Sequence, residues 1–159
     1  MTSKLYCCET NVNYFEYSLT KQEVLENLAN RLLVSGLVRN SFPQAIKDRE
    51  IVFPTGLPTE PIGVAIPHTD FEHVVSNSIA IGLLKNPVEF VEMGSADGRL
   101  VKIYLVMMLA IAEKDTIIPV LRKVITILKN SEILRNIQSV RNSSDLYCLI
   151  KQEFEELIC

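Results

Sequence analysis

An uninterrupted apolar run of ten residues, Ile103–Ala112, limits what this chain can fold into more than any other feature. Ile, Tyr, Val and Leu dominate the run and no charged residue breaks it, which is typical of a strand that is buried on both faces. The run is also too short to cross a bilayer, since a membrane-spanning helix needs about 20 residues. We therefore expect a sheet that other elements cover on both sides.

Helical patterns lie on both sides of this run in the sequence. Thr20 and Glu23 form a capping box, in which each side chain accepts a hydrogen bond from the backbone of the other residue. Leucines at helical spacing follow, and Gly36 suits the end of that helix. Pro119 is compatible with a later helix if Thr116 is its N-cap, because the third amide of a helix has no intrahelical acceptor. The five predicted helices begin at Thr20, Ser41, Thr116, Ser131 and about Ser144.

Short strands are expected between the second and third helices, in addition to the buried run. They are Gly63–Ile66, Ser78–Leu84 and Val88–Val91, and the stretch 54–63, rich in proline and glycine, is expected to be a loop. Since helices flank a block of strands, we predict an α/β fold, a three-layer α/β/α sandwich with a small mixed sheet between helices. One domain is expected over residues 1–159, with residues 1–17 as an irregular N-terminal extension or an edge strand.

The composition narrows the range of partners and compartments. The net charge of −3 offers no attraction to a polyanion, so we expect no nucleic-acid partner. The N-terminus lacks the apolar core of a secretory signal, and we expect a cytoplasmic protein that does not insert into a membrane. Cysteines 7, 8, 148 and 159 fit neither a redox motif nor a zinc site, and free thiols in a reducing compartment are expected.

The chain contains only two histidines, His68 and His73, and both lie in one six-residue stretch. Asp70 and Glu72 between them add possible metal ligands, so a small metal-binding enzyme that uses the 68–73 cluster is one hypothesis. Against it, a spacing of five places the two rings on different faces of a helix or strand. The spacing also differs from the i, i+4 pair of a zinc-protease helix.

His68 has a second interpretation as a nucleophile. It follows Pro67 where a strand is expected to end, a position at which a rigid sheet exposes reactive side chains. A neutral imidazole is nucleophilic and titrates near physiological pH, so it can carry a phosphoryl group reversibly. Thr69 could donate a hydroxyl to that group, and Asp70 or a backbone carbonyl could orient the second ring nitrogen. The alternative is that His68 only forms a hydrogen bond at the end of a strand.

The stretch Arg49–Val74 resembles the active-site region of the enzyme IIA domains of the sugar phosphotransferase system, in their fructose/mannitol class. The resemblance rests on Gly-Val-Ala-Ile-Pro-His at 63–68, on Pro-Thr-Gly-Leu at 54–57 and on His-Thr-Asp-Phe-Glu-His-Val at 68–74. The last two elements look most like the galactitol-specific members, and the similarity covers nearly the whole chain. It implies a phosphohistidine at His68 and no cofactor. It also implies HPr as phosphoryl donor, a cysteine of enzyme IIB as acceptor, and the membrane component enzyme IIC as an indirect partner.

Two further positions bear on this resemblance. Arg49 matches an arginine near the active histidine of the class, where an always-charged, forked guanidinium suits phosphate oxygens. Mannitol-type members carry a second active-site histidine early in the helix after the buried strand, whereas this chain has Thr116-Ile-Ile-Pro119 there. The departure favours the galactitol-like branch. His73 is a supporting candidate whose alternative role is capping or packing beside the site.

An alternative function is regulatory. The phosphorylation state of the domain would then control its binding to another protein, because phosphorylation changes the charge of the interface. The transported sugar is selected largely by the membrane component and is not readable from this chain. A carrier that binds its two partners in turn has no need to be more than a monomer, so a monomer is expected.

Overall fold

A computed structural model describes residues 4–159 of the chain, which form one five-stranded sheet and five α-helices. The strands are β1 (Val12–Phe15), β2 (Gly56–Leu57), β3 (Gly63–Ala65), β4 (Ser78–Val91) and β5 (Leu100–Ala110). The helices are α1 (Lys21–Val34), α2 (Phe42–Val52), α3 (Ile117–Leu128), α4 (Ser131–Gln138) and α5 (Ser143–Glu153). Among residues 4–159, no helix has the length and apolar character that crossing a membrane requires.

The sheet is mixed, as the sequence predicts, with the strand order β1-β4-β5-β3-β2. The long strands β4 and β5 pair antiparallel at its centre. On either side of them, β1 runs parallel to β4 and β3 runs parallel to β5, while β2 pairs antiparallel with β3 at the edge. The apolar run therefore lies in the middle of the sheet, where it has hydrogen-bonded neighbours on both sides.

The alternation of side chains along β5 divides the core into two halves. Leu105, Met107 and Leu109 pack with α3, α4 and α5 on one face of the sheet. Val106 and Met108 point to the other face, where they pack with α1 and α2. All five side chains are fully buried, and burial of one such side chain stabilises the fold by roughly 1.5–3 kcal/mol. The three-layer α/β/α arrangement is confirmed.

The predicted helix signals at α1 and α3 are present in the structure. The backbone N–H of Glu23 donates to Thr20 Oγ1 (3.1 Å), and that of Thr20 donates to Glu23 Oε1 (2.9 Å), which completes the capping box. Gly36 follows α1 with a φ of +74°, a conformation that favours glycine. Thr116 is the N-cap residue of α3, although its hydroxyl donates to the carbonyl of Glu113 instead of capping the helix.

Three strand predictions need correction. The segments 78–84 and 88–91 belong to one strand, β4, which continues through an irregularity between Leu83 and Val88. Pro87 has no N–H to donate to the ladder, and the strand accommodates it by shifting register and exposing residues 85–87. The buried strand begins at Leu100 and ends at Ala110, earlier at both ends than the apolar run.

The N-terminal segment contributes an ordered edge to the sheet. Of the two alternatives for residues 1–17, the edge strand is present, because β1 pairs with β4 and buries Val12 and Phe15. Residues 1–3 of that segment lie outside the described residues. The segment 54–63, expected as a loop, contains the two-residue strand β2, where Gly56 pairs with Ala65.

Gly56 is a point at which the sheet tolerates no side chain. A Cβ at this position would lie 2.7 Å from the carbonyl oxygen of Val91, closer than real Cβ contacts, and the clash is with backbone that cannot rotate away. We expect Gly56→Ala to lower the free energy of unfolding by about 1–3 kcal/mol, measured by urea denaturation.

Gly94→Ala is the comparison for this prediction. A Cβ at Gly94 meets no atom within 4 Å, so only its φ of +74° opposes the substitution, at a cost of roughly 1 kcal/mol. If Gly56→Ala loses no more stability than Gly94→Ala, the close approach of β2 to Val91 does not constrain the sheet as we infer.

Candidate functional site

His68 lies in the segment that leaves β3, and two backbone hydrogen bonds hold that segment to its neighbours. The carbonyl of Pro67 accepts from the N–H of Leu109 in β5 (2.9 Å). The N–H of Ile66 donates to the carbonyl of Thr55 (3.4 Å), just before β2. The residues before His68 are thereby bonded to β5 on one side and to the segment before β2 on the other, which gives the imidazole a rigid base.

The imidazole of His68 has a defined orientation. Its Nδ1 lies 2.9 Å from the carbonyl oxygen of Ile66. Because a carbonyl oxygen only accepts hydrogen bonds, Nδ1 is the donor and carries the proton. In the neutral ring, Nε2 is then the nitrogen with the free lone pair, which is the form that a nucleophilic imidazole requires.

The surroundings of His68 keep the ring in its neutral form. Burial lowers the pKa of His68 from its ordinary value near 6.5, and the positive charge of Arg49 lowers it further. The hydrogen bond to Ile66 and the charge of Asp70 act in the opposite direction without reversing the shift. At neutral pH the unprotonated lone pair is therefore available.

Arg49 lies in the last turn of α2 and lines the groove beside His68. Its Nη1 is 3.6 Å from Asp70 Oδ1, and its guanidinium stacks over the ring of Phe53 at 4.3 Å from the centroid. Its Nε is buried and has no hydrogen-bond partner. A buried N–H without a partner is costly, so this donor suits an anion that binds in the groove.

The groove is open and shallow, with a volume of about 500 Å³. One wall is the side of α2, including Arg49 and Phe53, and the other is the segment after β3, including Thr69, Asp70 and His73. Thr69 is buried and Asp70 is exposed. The fold thus brings four of the predicted site residues to one depression, with His68 beside it.

His73 is bonded to the segment that leads into α2. Its Nδ1 lies 2.8 Å from Ser41 Oγ, and its carbonyl accepts from the N–H of Arg39 (2.8 Å). Ser41 is the N-cap residue of α2, but its hydroxyl makes no capping bond and instead meets the imidazole of His73. His73 therefore connects the wall after β3 to the start of α2.

The metal-binding hypothesis has no geometric support in the described part of the chain. Within residues 4–159, the structure brings together no group of three or more His, Cys, Asp or Glu side chains that would hold a metal ion. The ring of His73 meets Ser41, and the Nδ1 of His68 meets a carbonyl.

Sequence reasoning missed a buried pair beside the site, Glu50 and Thr55. Glu50 is only 4% exposed, and its carboxylate accepts from the N–H of Thr55 (2.7 Å) and from its hydroxyl (2.8 Å). The sequence could have indicated the burial of Glu50, because it lies four residues after Ile46, on the face of α2 that also buries Phe42. A carboxylate on the apolar face of a helix requires a partner.

Glu50 makes stability depend on pH. Burial raises its pKa from 4.5 to about 7, against the opposing effect of the bonds from Thr55. A carboxyl with a raised folded pKa contributes stability that is fully present below about pH 4.5 and is lost as the pH rises through about 7. We expect wild type to lose roughly 3 kcal/mol relative to Glu50→Gln between pH 4.5 and 8, measured by urea denaturation.

Glu26→Gln is the control for this comparison, since it removes a negative charge from an exposed position on α1. His68 titrates in wild type and variant alike, so the difference between the two proteins isolates Glu50. A difference in stability between wild type and Glu50→Gln that stays constant over this pH range would contradict the assignment.

Comparisons with known proteins place the chain in one family. The family model described as "Phosphoenolpyruvate-dependent sugar phosphotransferase system, EIIA 2" matches residues 7–153. The galactitol-specific EIIA component of Escherichia coli is 39% identical over 70 residues, which are 44% of this chain and 47% of that protein. The match therefore spans about half the length of this curated relative.

Two solved structures show the same fold. The mannitol-specific cryptic phosphotransferase enzyme IIA CmtB of Escherichia coli superposes with a TM-score of 0.74 at 24% identity, over 92% of this chain and 96% of that one. Enzyme IIAMTL of Escherichia coli, in its complex with phosphorylated enzyme IIBMTL, gives a TM-score of 0.68 at 20% identity, over 91% and 96%. Because the family match covers nearly the whole chain and the fold agrees, this protein belongs to the EIIA type 2 family of the phosphoenolpyruvate-dependent sugar phosphotransferase system.

Proposed function

We propose that this protein carries a phosphoryl group on Nε2 of His68, which it accepts from HPr and passes to a cysteine of an enzyme IIB. The observation that carries the proposal is the hydrogen bond from His68 Nδ1 to the carbonyl of Ile66 (2.9 Å). It leaves Nε2 as the nucleophilic nitrogen of a ring whose pKa is lowered by burial.

Each transfer exchanges one bond to phosphorus for another. In the first, the lone pair of Nε2 forms the N–P bond while the bond between phosphorus and the donor breaks, and that electron pair leaves with the donor. In the second, the thiolate of enzyme IIB forms an S–P bond, and the electron pair of the N–P bond returns to Nε2. The Nδ1 proton stays on its nitrogen throughout, held by Ile66.

Arg49 is the proposed clamp for the phosphoryl oxygens. The buried Nε without a partner and the long 3.6 Å contact with exposed Asp70 leave donors free for an anion. Stacking on Phe53 holds the guanidinium plane in place. A positioned cation of this kind stabilises the charge that spreads over the equatorial oxygens during phosphoryl transfer.

Thr69, Asp70 and His73 are proposed as supporting residues. Thr69 and Asp70 line the groove directly after His68, where Thr69 offers a hydroxyl and Asp70 offsets part of the charge of Arg49. His73 holds the same wall against Ser41 at the start of α2. Loss of any of the three would disturb the walls of the groove while leaving the nucleophile in place.

An apolar rim suits the groove to a protein partner. Val52 and Phe53 line the groove and are 66% and 56% exposed. Exposed apolar side chains next to a reactive group are typical of protein interaction sites. IIAMTL of Escherichia coli has been solved in complex with phosphorylated IIBMTL, and we propose an equivalent partner here.

We propose galactitol or a similar sugar alcohol as the transported substrate, with enzyme IIC as the membrane component that is served indirectly. This proposal rests on the partial match to the galactitol-specific EIIA component. It is also consistent with the absence of histidine from residues 116–119 at the start of α3.

Incubation with phosphoenolpyruvate, enzyme I and HPr is expected to place one acid-labile, base-stable phosphate on the protein. His68→Ala should take up none, because it lacks the nucleophile. The measurement is incorporation of ³²P from labelled phosphoenolpyruvate. Incorporation into His68→Ala would show that the assignment is wrong.

His73→Ala is the matched control for the labelling experiment, since His68 and His73 are the only histidines in the chain. It retains the nucleophile and should reach the same stoichiometry as wild type at long incubation. A loss of label from this variant instead of from His68→Ala would move the carrier site to His73.

Removal of the guanidinium at position 49 is expected to slow phosphoryl transfer from phosphorylated HPr on the order of 100-fold. Arg49→Lys should recover only part of the rate, because an ammonium replaces the charge but not the planar fork. The rate of transfer to each variant is measured by rapid-quench kinetics with HPr that carries a ³²P-labelled phosphoryl group.

Lys47→Ala serves as the control for charge alone. Lys47 lies on the same helix but pairs with Glu26 of α1 (3.6 Å), so its loss changes the net charge without touching the groove. Equal rates for wild type and Arg49→Ala would exclude Arg49 as the clamp.

A further inference from the structure

The proposed carrier mechanism assigns no task to Glu50, although it is one of the most unusual residues of the site. It is a carboxylate with 4% exposure, in a helix whose other buried residues are Phe42 and Ile46. Both of its oxygens are used, Oε2 by the N–H and Oε1 by the hydroxyl of Thr55. Burying a carboxylate is expensive, so its presence at this position needs an explanation beyond packing.

Thr55 continues the connection toward the reactive imidazole. It is 2% exposed, and its carbonyl accepts from the N–H of Ile66 at 3.4 Å. That bond is long, but the pairing of Gly56 with Ala65 holds the same two segments side by side. The carbonyl of Ile66 then accepts from His68 Nδ1 at 2.9 Å. Hydrogen bonds linked through the backbones of Thr55 and Ile66 therefore connect Glu50 to the ring.

Glu50 is also rigidly coupled to the other half of the site. Arg49 precedes it in the last turn of α2, and successive residues of a helix point about 100° apart. Glu50 points into the core, and Arg49, about 100° away around the helix, lines the groove. The bonds to Thr55 thus fix the rotation of the last turn of α2 relative to the segment that carries His68.

We propose that Glu50 is a positioning residue for phosphoryl transfer, which acts through Thr55 and the carbonyl of Ile66 to hold His68 as its Nδ1-H tautomer and to set Arg49 beside it. This inference rests on the proposed function. Glu50 touches neither the nucleophilic nitrogen nor the phosphoryl group. Its effect is geometric, and small displacements of reacting groups reduce rates by up to about 100-fold.

The test combines three variants with a spectroscopic readout. In Glu50→Gln, the single amide oxygen can serve only one of the two donors of Thr55. Thr55→Val removes the hydroxyl with little change of shape, and Thr55→Ser keeps it. For each folded variant, ¹⁵N–¹H correlation spectra of the His68 ring report which nitrogen carries the proton, and rapid-quench kinetics give the rate of phosphorylation by HPr.

Glu50→Gln and Thr55→Val are expected to lower the fraction of the Nδ1-H tautomer and to slow phosphorylation by about 10- to 100-fold. Thr55→Ser should restore both to near wild type. Glu26→Gln, an exposed carboxyl on α1, is the matched control and should leave both unchanged. A role confined to stability would alter the melting temperature without moving the tautomer signal.

The inference is overturned if Glu50→Gln and Thr55→Val retain the wild-type tautomer pattern and rate, or if Thr55→Ser is as impaired as Thr55→Val. If Glu50→Gln does not fold, the comparison of Thr55→Val with Thr55→Ser tests the inference by itself. The tautomer measurement needs no phosphoryl donor. A wild-type protein that accepts no phosphate would therefore refute the carrier function, while the ring spectra still decide whether Glu50 positions His68.

Discussion

The antiparallel pairing of β4 with β5 is the interaction on which the rest of the structure depends. Residues 78–84 of β4 and 105–110 of β5 are buried on both faces of the sheet, so their apolar side chains contribute to both halves of the core. The parallel strands β1 and β3 then attach to the outer edges of this pair. Since helices must cover both faces of such a sheet, α1 and α2 lie on one side and α3 to α5 on the other.

The candidate site depends on this pairing of β4 with β5 because its residues lie on different elements of the fold. The end of β3 supplies His68, which is held through the bond between Pro67 and Leu109 of β5. The last turn of α2 supplies Arg49, and the same turn is tied to the sheet by Glu50 through Thr55. The proposed nucleophile and the proposed clamp are therefore held by separate elements, which hydrogen bonds made by Thr55 and Ile66 connect.

Much of the fold was predictable because its signals are local. The capping box of α1, Gly36 at its end and Thr116 before α3 all appear where the sequence places them. The prediction failed where a tertiary contact overrides the local pattern. The sequence predicted separate strands at 78–84 and 88–91, yet pairing with β5 carries β4 through the irregularity between them. The edge strand β1 has only four residues, and its pairing with β4 is what makes it a strand.

The sequence by itself determined the residue types of the site and the resemblance to the family, because a motif such as Gly-Val-Ala-Ile-Pro-His is contiguous. It also determined the three-layer fold, since a strand without polar residues must be covered on both faces. Only the tertiary structure decided which imidazole nitrogen of His68 is free, because that depends on the position of the Ile66 carbonyl. The hydrogen bonds of Glu50 were equally hidden, since its partner becomes evident only when the backbone after α2 folds back to bring Thr55 onto its carboxylate.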